Sequence, residues 1–124
     1  MLGGSLYQTY VIKEAVKMGY YVISCDYLPN NPGHRYAHEY YNISTTDKEA
    51  VYKLAKDIQV DGIVAYASDP AAPTAAYVCE KLGLPTSPYS SVEILSRKDL
   101  FRQYLSEHNF NVPNSFSCST YKEA

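Results

Sequence analysis

The sequence predicts an α/β domain, a parallel sheet flanked by helices in three layers, with a helical linker at its C-terminal end. Three observations carry that prediction. Two continuous apolar runs, residues 20–26 and 62–69, each end in an acid and fit strands buried on both faces. Stretches of helical period lie between and after them. Strands alternating with helices build βαβ units, whose crossovers are right-handed.

The elements follow in order. Tyr7, Val11, Ala15 and Met18 form one stripe, with Thr9, Lys13 and Lys17 opposite, so a first helix ends at Gly19, a position for positive φ. The run 20–26 is the next strand, and residues 40–43 are a shorter candidate. Thr46-Asp47-Lys48-Glu49 reads as a capping box opening a helix with Ala50, Val51, Leu54, Ala55 and Ile58 inside. The run 62–69 is another strand. A helix over residues 74–82 buries Ala75, Val78, Cys79 and Leu82 and stops before Gly83 and Pro85.

After Pro88 the pattern turns wholly helical. Ser90-Ser91-Val92-Glu93 is a second capping box, and Ser96 is placed to cap a further helix that buries Leu100, Phe101, Tyr104, Leu105 and His108. Asn111-Val112-Pro113-Asn114 then leads to a strand-like run, residues 115–118. Thr120-Tyr121-Lys122-Glu123 is a third capping box, next to the last residue, and only Met1 and Leu2 precede Gly3-Gly4. Both ends therefore read as cut from a longer protein.

Composition narrows the function classes. The 124 residues are 46% hydrophobic and 19% charged, with a net charge of -2. One domain can bury a core at this size. The charge balance gives no footprint for nucleic acid or an anionic membrane surface. No apolar run is long enough to span a bilayer, and no signal-peptide pattern appears. Cys25, Cys79 and Cys118 are isolated, odd in number and set among apolar residues. They read as reduced thiols of a cytoplasmic protein. No catalytic triad, paired carboxylates or metal-ligand cluster can be argued from spacing. The fourteen tyrosines suggest no chemistry.

Several places merit weighing as sites. Gly3-Gly4-Ser5 stands between a strand end and a helix start, where N–H groups and the helix dipole favour an anion; the same glycines serve a plain turn equally well. The run Gly3-Gly4-Ser5-Leu6-Tyr7-Gln8 lacks the G-x-G-x-x-G dinucleotide fingerprint, which disfavours a nucleotide-cofactor domain of an oxidoreductase. Without that fingerprint, Asp26 reads as an exposed acid opening the loop that follows rather than a ribose ligand. Ser68, Asp69, Pro70 and Ala71 lie at the carboxyl end of the sheet, beside the Gly3-Gly4 turn. A site wall is favoured there over simple capping of the next helix by Ser68 or Asp69. His34 and His38 share an i,i+4 spacing but lack a third ligand, so solvated or structural roles are favoured, and His108 suits a helix C-terminus. Lys98 stands near a helix start and could hold a phosphate, although spacing alone favours a surface lysine.

Taken in order, these features resemble the N-terminal domain that precedes the catalytic domain in ATP-grasp ligases, and the resemblance covers essentially the whole chain. Gly3-Gly4-Ser5 stands at that family's first glycine-rich turn. Cys25-Asp26-Tyr27 with Asn31-Pro32-Gly33 is similar to the loop after its second strand, and Leu82-Gly83-Leu84-Pro85 to the segment before its linker. Arg97-Lys98-Asp99-Leu100-Phe101-Arg102, running on to Asn111-Val112-Pro113, is similar to the linker itself, with Arg97 where the family usually has aspartate.

The resemblance implies a Rossmann-like domain over residues 1–90, a helical linker over 91–113 and the start of a truncated ATP-grasp domain over 114–124. It implies ATP and magnesium in the parent enzyme, an acyl phosphate intermediate and a carboxylate or phosphorylated small-molecule substrate. This stretch alone would hold none of these cofactors tightly and would catalyse nothing. Gly3, Gly4, Ser5 and the loop from Ser68 through Asp69 and Pro70 to Ala71 would face the substrate, and Lys98 the nucleotide phosphates. The partners implied are the missing ATP-grasp domain of the same chain and a second copy in a homodimer. The alternative from another class is a non-catalytic small-molecule-binding or oligomerisation module on the same fold.

Overall fold

The computed structural model describes residues 1–116, 118 and 120–122. Among them the chain forms helix α1 (Leu6–Lys17), strand β1 (Ile23–Cys25), strand β2 (Glu39–Tyr41) and helix α2 (Lys48–Asp57). Helices α3 (Ala72–Leu82), α4 (Tyr89–Ser96) and α5 (Lys98–Glu107) follow. Two 3₁₀ turns, Pro32–Tyr36 and Asp69–Ala71, link β1 to β2 and lead into α3. The expected strand at residues 115–118 and the expected capping box at 120–123 both include residues outside those described.

The sheet is parallel, as the alternation predicts, but its strands are shorter than the apolar runs. Ile23 pairs with Glu39, Ser24 with Tyr40 and Cys25 with Tyr41. Leu2 bridges Cys25 in the same parallel sense, and its N–H donates to the Val64 carbonyl at 2.9 Å. Residues 1–3 thus run beside β1, with residues 62–66 drawn alongside by that bond. The run 62–69 forms no regular strand: ladder hydrogen bonds need a neighbour, and among the described residues its backbone bond to another segment is the one from Leu2 to Val64.

Alternation along β1 sorts its side chains to opposite faces. Cys25 joins a core of Leu2, Val51, Ala55, Ala71, Ala75 and Val78, built by α2 and α3. Ser24, the next residue back, meets His34 of the first 3₁₀ turn, which packs on α1. Beyond this, α3 packs on α4 and α4 on α5.

The helices differ from expectation in instructive ways. α1 does not bury Tyr7 and Met18, which are 70% and 67% exposed; Gln8, Thr9 and Ile12 face inward instead. Ser5 and Gln8 form an S-x-x-Q capping box, which sets the phase of the helix before its apolar stripe can. In α2 the cap is Asp47 rather than Thr46, with its carboxylate accepting from the Ala50 N–H at 3.0 Å. α4 starts at Tyr89 behind Pro88, ahead of the serines expected to cap it. Arg97, not Ser96, precedes α5. No residue of α5 is fully buried: Leu100, Phe101 and Leu105 are half-covered, Tyr104 and His108 exposed. α3 ends at Gly83, and Gly19 takes positive φ, both as the sequence predicts.

Candidate functional site

The carboxyl end of β1 gathers the Gly3–Gly4–Ser5 turn, Asp26 and the first 3₁₀ turn into one hydrogen-bonded unit. Gly3 has φ +100°, a conformation open to glycine, and its N–H donates to the Cys25 carbonyl at 2.8 Å. Gly4 is required for a different reason. A Cβ there would lie 2.2 Å from Cε1 of His34. Behind the turn, the Gly4 carbonyl accepts from the Gly33 N–H at 2.7 Å.

Asp26 is the hub, and here the expectation of an exposed acid is corrected. It is only 7% exposed. Its Oδ2 accepts from the Gly4 N–H at 2.9 Å and from Asn31 Nδ2 at 2.9 Å, while Oδ1 accepts from the Leu28 N–H at 3.1 Å. Its backbone carbonyl accepts from the Tyr40 hydroxyl at 3.0 Å. Among the described residues no cation pairs with this carboxylate, so donated N–H bonds carry its burial.

His34 is structural, in keeping with expectation. The Leu28 carbonyl, 3.1 Å from Nε2, can only accept, so Nε2 carries a proton. Nδ1 lies 2.8 Å from the Ser24 hydroxyl, within hydrogen-bond distance. The ring also lies 3.9 Å, centroid to centroid, from that of Tyr40. His38 Nδ1 accepts from the Val22 N–H at 3.0 Å, and His108 Nδ1 lies 2.8 Å from the Tyr104 carbonyl at the end of α5.

The second predicted loop is tied to the first through a residue the sequence reading missed. Gln8 Oε1 accepts from the Ser5 N–H at 3.1 Å and from the Ser5 hydroxyl, while Nε2 donates to the Tyr66 carbonyl at 2.6 Å. Ala67 follows with φ +49°, and the chain turns into Asp69–Ala71. Neither Ser68 nor Asp69 caps a helix with its side chain. Asp69 and Pro70 are exposed, Ser68 is half-buried, and Ala71 is fully buried in the core. The Ser5-to-Gln8 spacing was a legible signal for this tie.

Chemically, the turn is a preorganised polar wall rather than an open anion nest. The N–H groups of Gly3, Gly4 and Ser5 are engaged by Cys25, Asp26 and Gln8. Lys98 lies elsewhere, in the first turn of α5, and lines a groove with Asp99, Arg102, Val112 and Pro113. The described lining of that groove includes none of residues 3–5 or 68–71. Among the described residues no group of three or more His, Cys, Asp or Glu could hold a metal ion. No described helix is long and apolar enough to cross a membrane.

Two cysteines bear on reactivity. Burial pushes the Cys25 thiol up to about 11 and raises that of Cys79, so neither is a ready nucleophile. Cys118 is exposed rather than set in an apolar environment.

Comparison with known proteins places these observations. No model of a protein family matches the chain. Formate-dependent phosphoribosylglycinamide formyltransferase of Rhodococcus jostii is 32% identical over 123 aligned positions, 77% of this chain and 30% of that protein. The enzyme of the same name from Burkholderia mallei is 34% identical over 118 positions, 73% of this chain and 29% of that protein. The chain therefore spans about a third or less of the length of the curated relatives it matches. Among solved structures, phosphoribosylglycinamide synthetase of Anaerococcus prevotii superposes with a TM-score of 0.82 at 22% identity, covering 98% of this chain and 31% of that one. N5-carboxyaminoimidazole synthetase of Staphylococcus aureus, solved with ADP, gives 0.67 at 25% identity, over 87% of this chain and 29% of that one. L-amino acid ligase of Bacillus licheniformis gives 0.69 at 22%, over 90% and 30%.

Proposed function

Because this chain belongs with the N-terminal domains of ATP-grasp ligases, we propose that it forms the substrate-side wall of such an enzyme and contributes no catalytic group by itself. The observation that carries the reading is the pattern of coverage. The chain is matched almost end to end, yet fills only 31% of the Anaerococcus prevotii synthetase. The remainder of the relatives' length is where ATP chemistry would reside. The alternative of a non-catalytic binding or oligomerisation module is not favoured by relatives that are biosynthetic enzymes.

In this reading residues 1–90 are a Rossmann-like three-layer unit, 91–113 a linker and 114–124 the first residues of the ATP-grasp domain. ATP-grasp chemistry supplies an acyl phosphate from a carboxylate and the γ-phosphoryl group of ATP, with magnesium neutralising the phosphates. This chain's own residues would do the holding. Gly3, Gly4 and Ser5, fixed by Asp26 and Gln8, would present the floor of a pocket for a small carboxylate or phosphorylated substrate, and Ser68, Asp69, Pro70 and Ala71 its side. Since the N–H groups of the turn are already engaged, recognition would come from shape and from the Ser5 and Ser68 hydroxyls. Lys98, with Arg102 one helical turn on in the same groove, fits the flank of a polyphosphate. The donor set for magnesium does not fit the described residues and falls to the rest of the parent enzyme. A homodimer and a cytoplasmic setting accord with the reading.

Titration calorimetry of the 124-residue chain tests it, with ATP-Mg in one cell and a panel of small carboxylates and phosphorylated amines in others. The expected result is no heat with ATP-Mg and weak binding of one panel member, abolished by substitution Ser5→Val. Tight ATP binding by this chain would overturn the reading and make it a self-sufficient nucleotide domain.

A further inference from the structure

We propose that Tyr89 is a latch, a positioning residue that locks the arm formed by α4 and α5 onto the body formed by α2 and α3. Apolar burial holds this arm weakly. No residue of α4 or α5 is fully buried, Val92 and Ile94 are half-covered, and Leu95 is 64% exposed. Residues 85–88 and 90–91, on either side of Tyr89, are exposed, whereas Tyr89 itself is half-buried.

Amide, ring and hydroxyl of Tyr89 each hold a separate partner. Its N–H is the first of α4 and follows Pro88, which has no capping side chain. That N–H donates to Glu80 Oε1 of α3 at 2.8 Å, so the carboxylate of another helix caps α4. The ring meets that of Tyr77 in α3 edge-on, with 5.6 Å between centroids and 70° between planes. The hydroxyl accepts from Lys48 Nζ of α2 at 2.6 Å and donates to Glu93 Oε1 of α4 at 2.9 Å, a relay from cation to carboxylate. Lys48 Nζ also lies 4.9 Å from the centroid of the Tyr89 ring and 5.5 Å from that of Tyr77. An exposed ion pair by itself fixes little, but here one half-buried side chain is shared by α2, α3 and α4.

Arg97 alone joins α4 to α5. Its N–H donates to the Glu93 carbonyl at 3.1 Å and its carbonyl accepts from the Phe101 N–H at 2.8 Å. Its guanidinium grips Asp99 through Nε at 3.2 Å and Nη2 at 2.5 Å. The arm thus turns as one piece, and fixing its first residue fixes the groove of Lys98 and Arg102 along α5.

Spin labels on Lys53→Cys in α2 and Ser106→Cys in α5, in a Cys118→Ser background, read the distance between body and arm; Cys25 and Cys79 are buried. Amide hydrogen exchange is followed on the unlabelled chain. The natural chain is expected to give one narrow distance. Tyr89→Ala should broaden it and speed exchange in α4 and α5 by on the order of tenfold, with α1 and α2 unchanged. Tyr89→Phe keeps the ring and the bond to Glu80, so it should give a smaller effect, as should Lys48→Met. Combining these two should add little to either alone, because both break the same relay. A broad distance in the natural chain, or an unchanged arm in Tyr89→Ala, would overturn the proposal. So would faster exchange spread evenly over α1 to α5, which would make Tyr89 a plain stabiliser of the whole fold.

Discussion

Substitution Gly4→Ala isolates the packing on which the Gly3–Ser5 turn depends. The added methyl would sit 2.2 Å from Cε1, 2.6 Å from Nδ1 and 2.7 Å from Nε2 of His34, so either the imidazole or the turn must move. The ring is not a loose end that swings aside. It is held by Ser24 at 2.8 Å, by the Leu28 carbonyl at 3.1 Å and by the Tyr40 ring at a 3.9 Å centroid distance. Displacing it forfeits two hydrogen bonds, about 0.5–1.5 kcal/mol each, on top of roughly 1–3 kcal/mol for overpacking. The expected loss is therefore about 2–6 kcal/mol, a large share of the stability of a small domain. Urea unfolding followed by far-UV circular dichroism reads it directly. The decisive comparison repeats the substitution in a His34→Ala background, where the methyl has room and should cost less than about 1 kcal/mol. An equal cost in both backgrounds, or a Gly4→Ala cost below about 0.5 kcal/mol, would refute the reasoning.

Two further outcomes follow from the same neighbourhood. Asp26→Asn turns one carboxylate oxygen into an NH₂, and because both oxygens face N–H donors, neither amide orientation escapes a donor–donor clash; a loss of roughly 2–3 kcal/mol in urea unfolding is expected. A cost no larger than that of a surface substitution would show that Asp26 is not the hub. Stability should also fall at alkaline pH through Cys25. Its thiol goes from 9.0 up to about 11 on burial, so between those values the unfolded chain sheds a proton that the folded chain keeps, and unfolding becomes easier as pH rises. At 1.36 kcal/mol per pKa unit the contribution approaches about 2–3 kcal/mol by the upper end. Because tyrosines and lysines titrate in the same window, the check is the difference in slope between the natural chain and Cys25→Ala.

The parts of the fold that could be read from sequence are those where local chemistry and tertiary packing agree. α3 is such a case: Ala75, Val78 and Cys79 share one face, and Gly83 stops the helix where expected. In α1 the two conflict. Tyr7 and Met18 supply the better apolar stripe, yet the Ser5–Gln8 cap and the Gln8–Tyr66 bond turn Gln8 and Thr9 inward. Polar residues buried by specific hydrogen bonds are invisible to a hydrophobicity pattern. Asp26 was misread for the same reason, since its burial depends on donors from Gly4, Leu28 and Asn31, which come together only once the chain has folded. The run 62–69 shows the reverse: an apolar sequence fit for a strand, whose ladder depends on a neighbour and whose backbone bond to another segment, among the described residues, is the one from Leu2 to Val64.

These failures of pattern fall at one place, the carboxyl end of β1, and that coincidence supports a site there. A buried acid, an inward glutamine and a glycine pressed against a histidine cost stability unless each is satisfied, and each is satisfied by holding the turn rather than by filling the core. Had Asp26 served only to start a loop, water could have solvated it at no cost. Its place beneath the turn instead fixes Gly4 from below, while Gln8 fixes Ser5 and reaches across to Tyr66, so the two loops keep one relative position. The substrate wall proposed above would need that rigidity, because a reacting group misplaced by about 1 Å loses much of the benefit of being held at all.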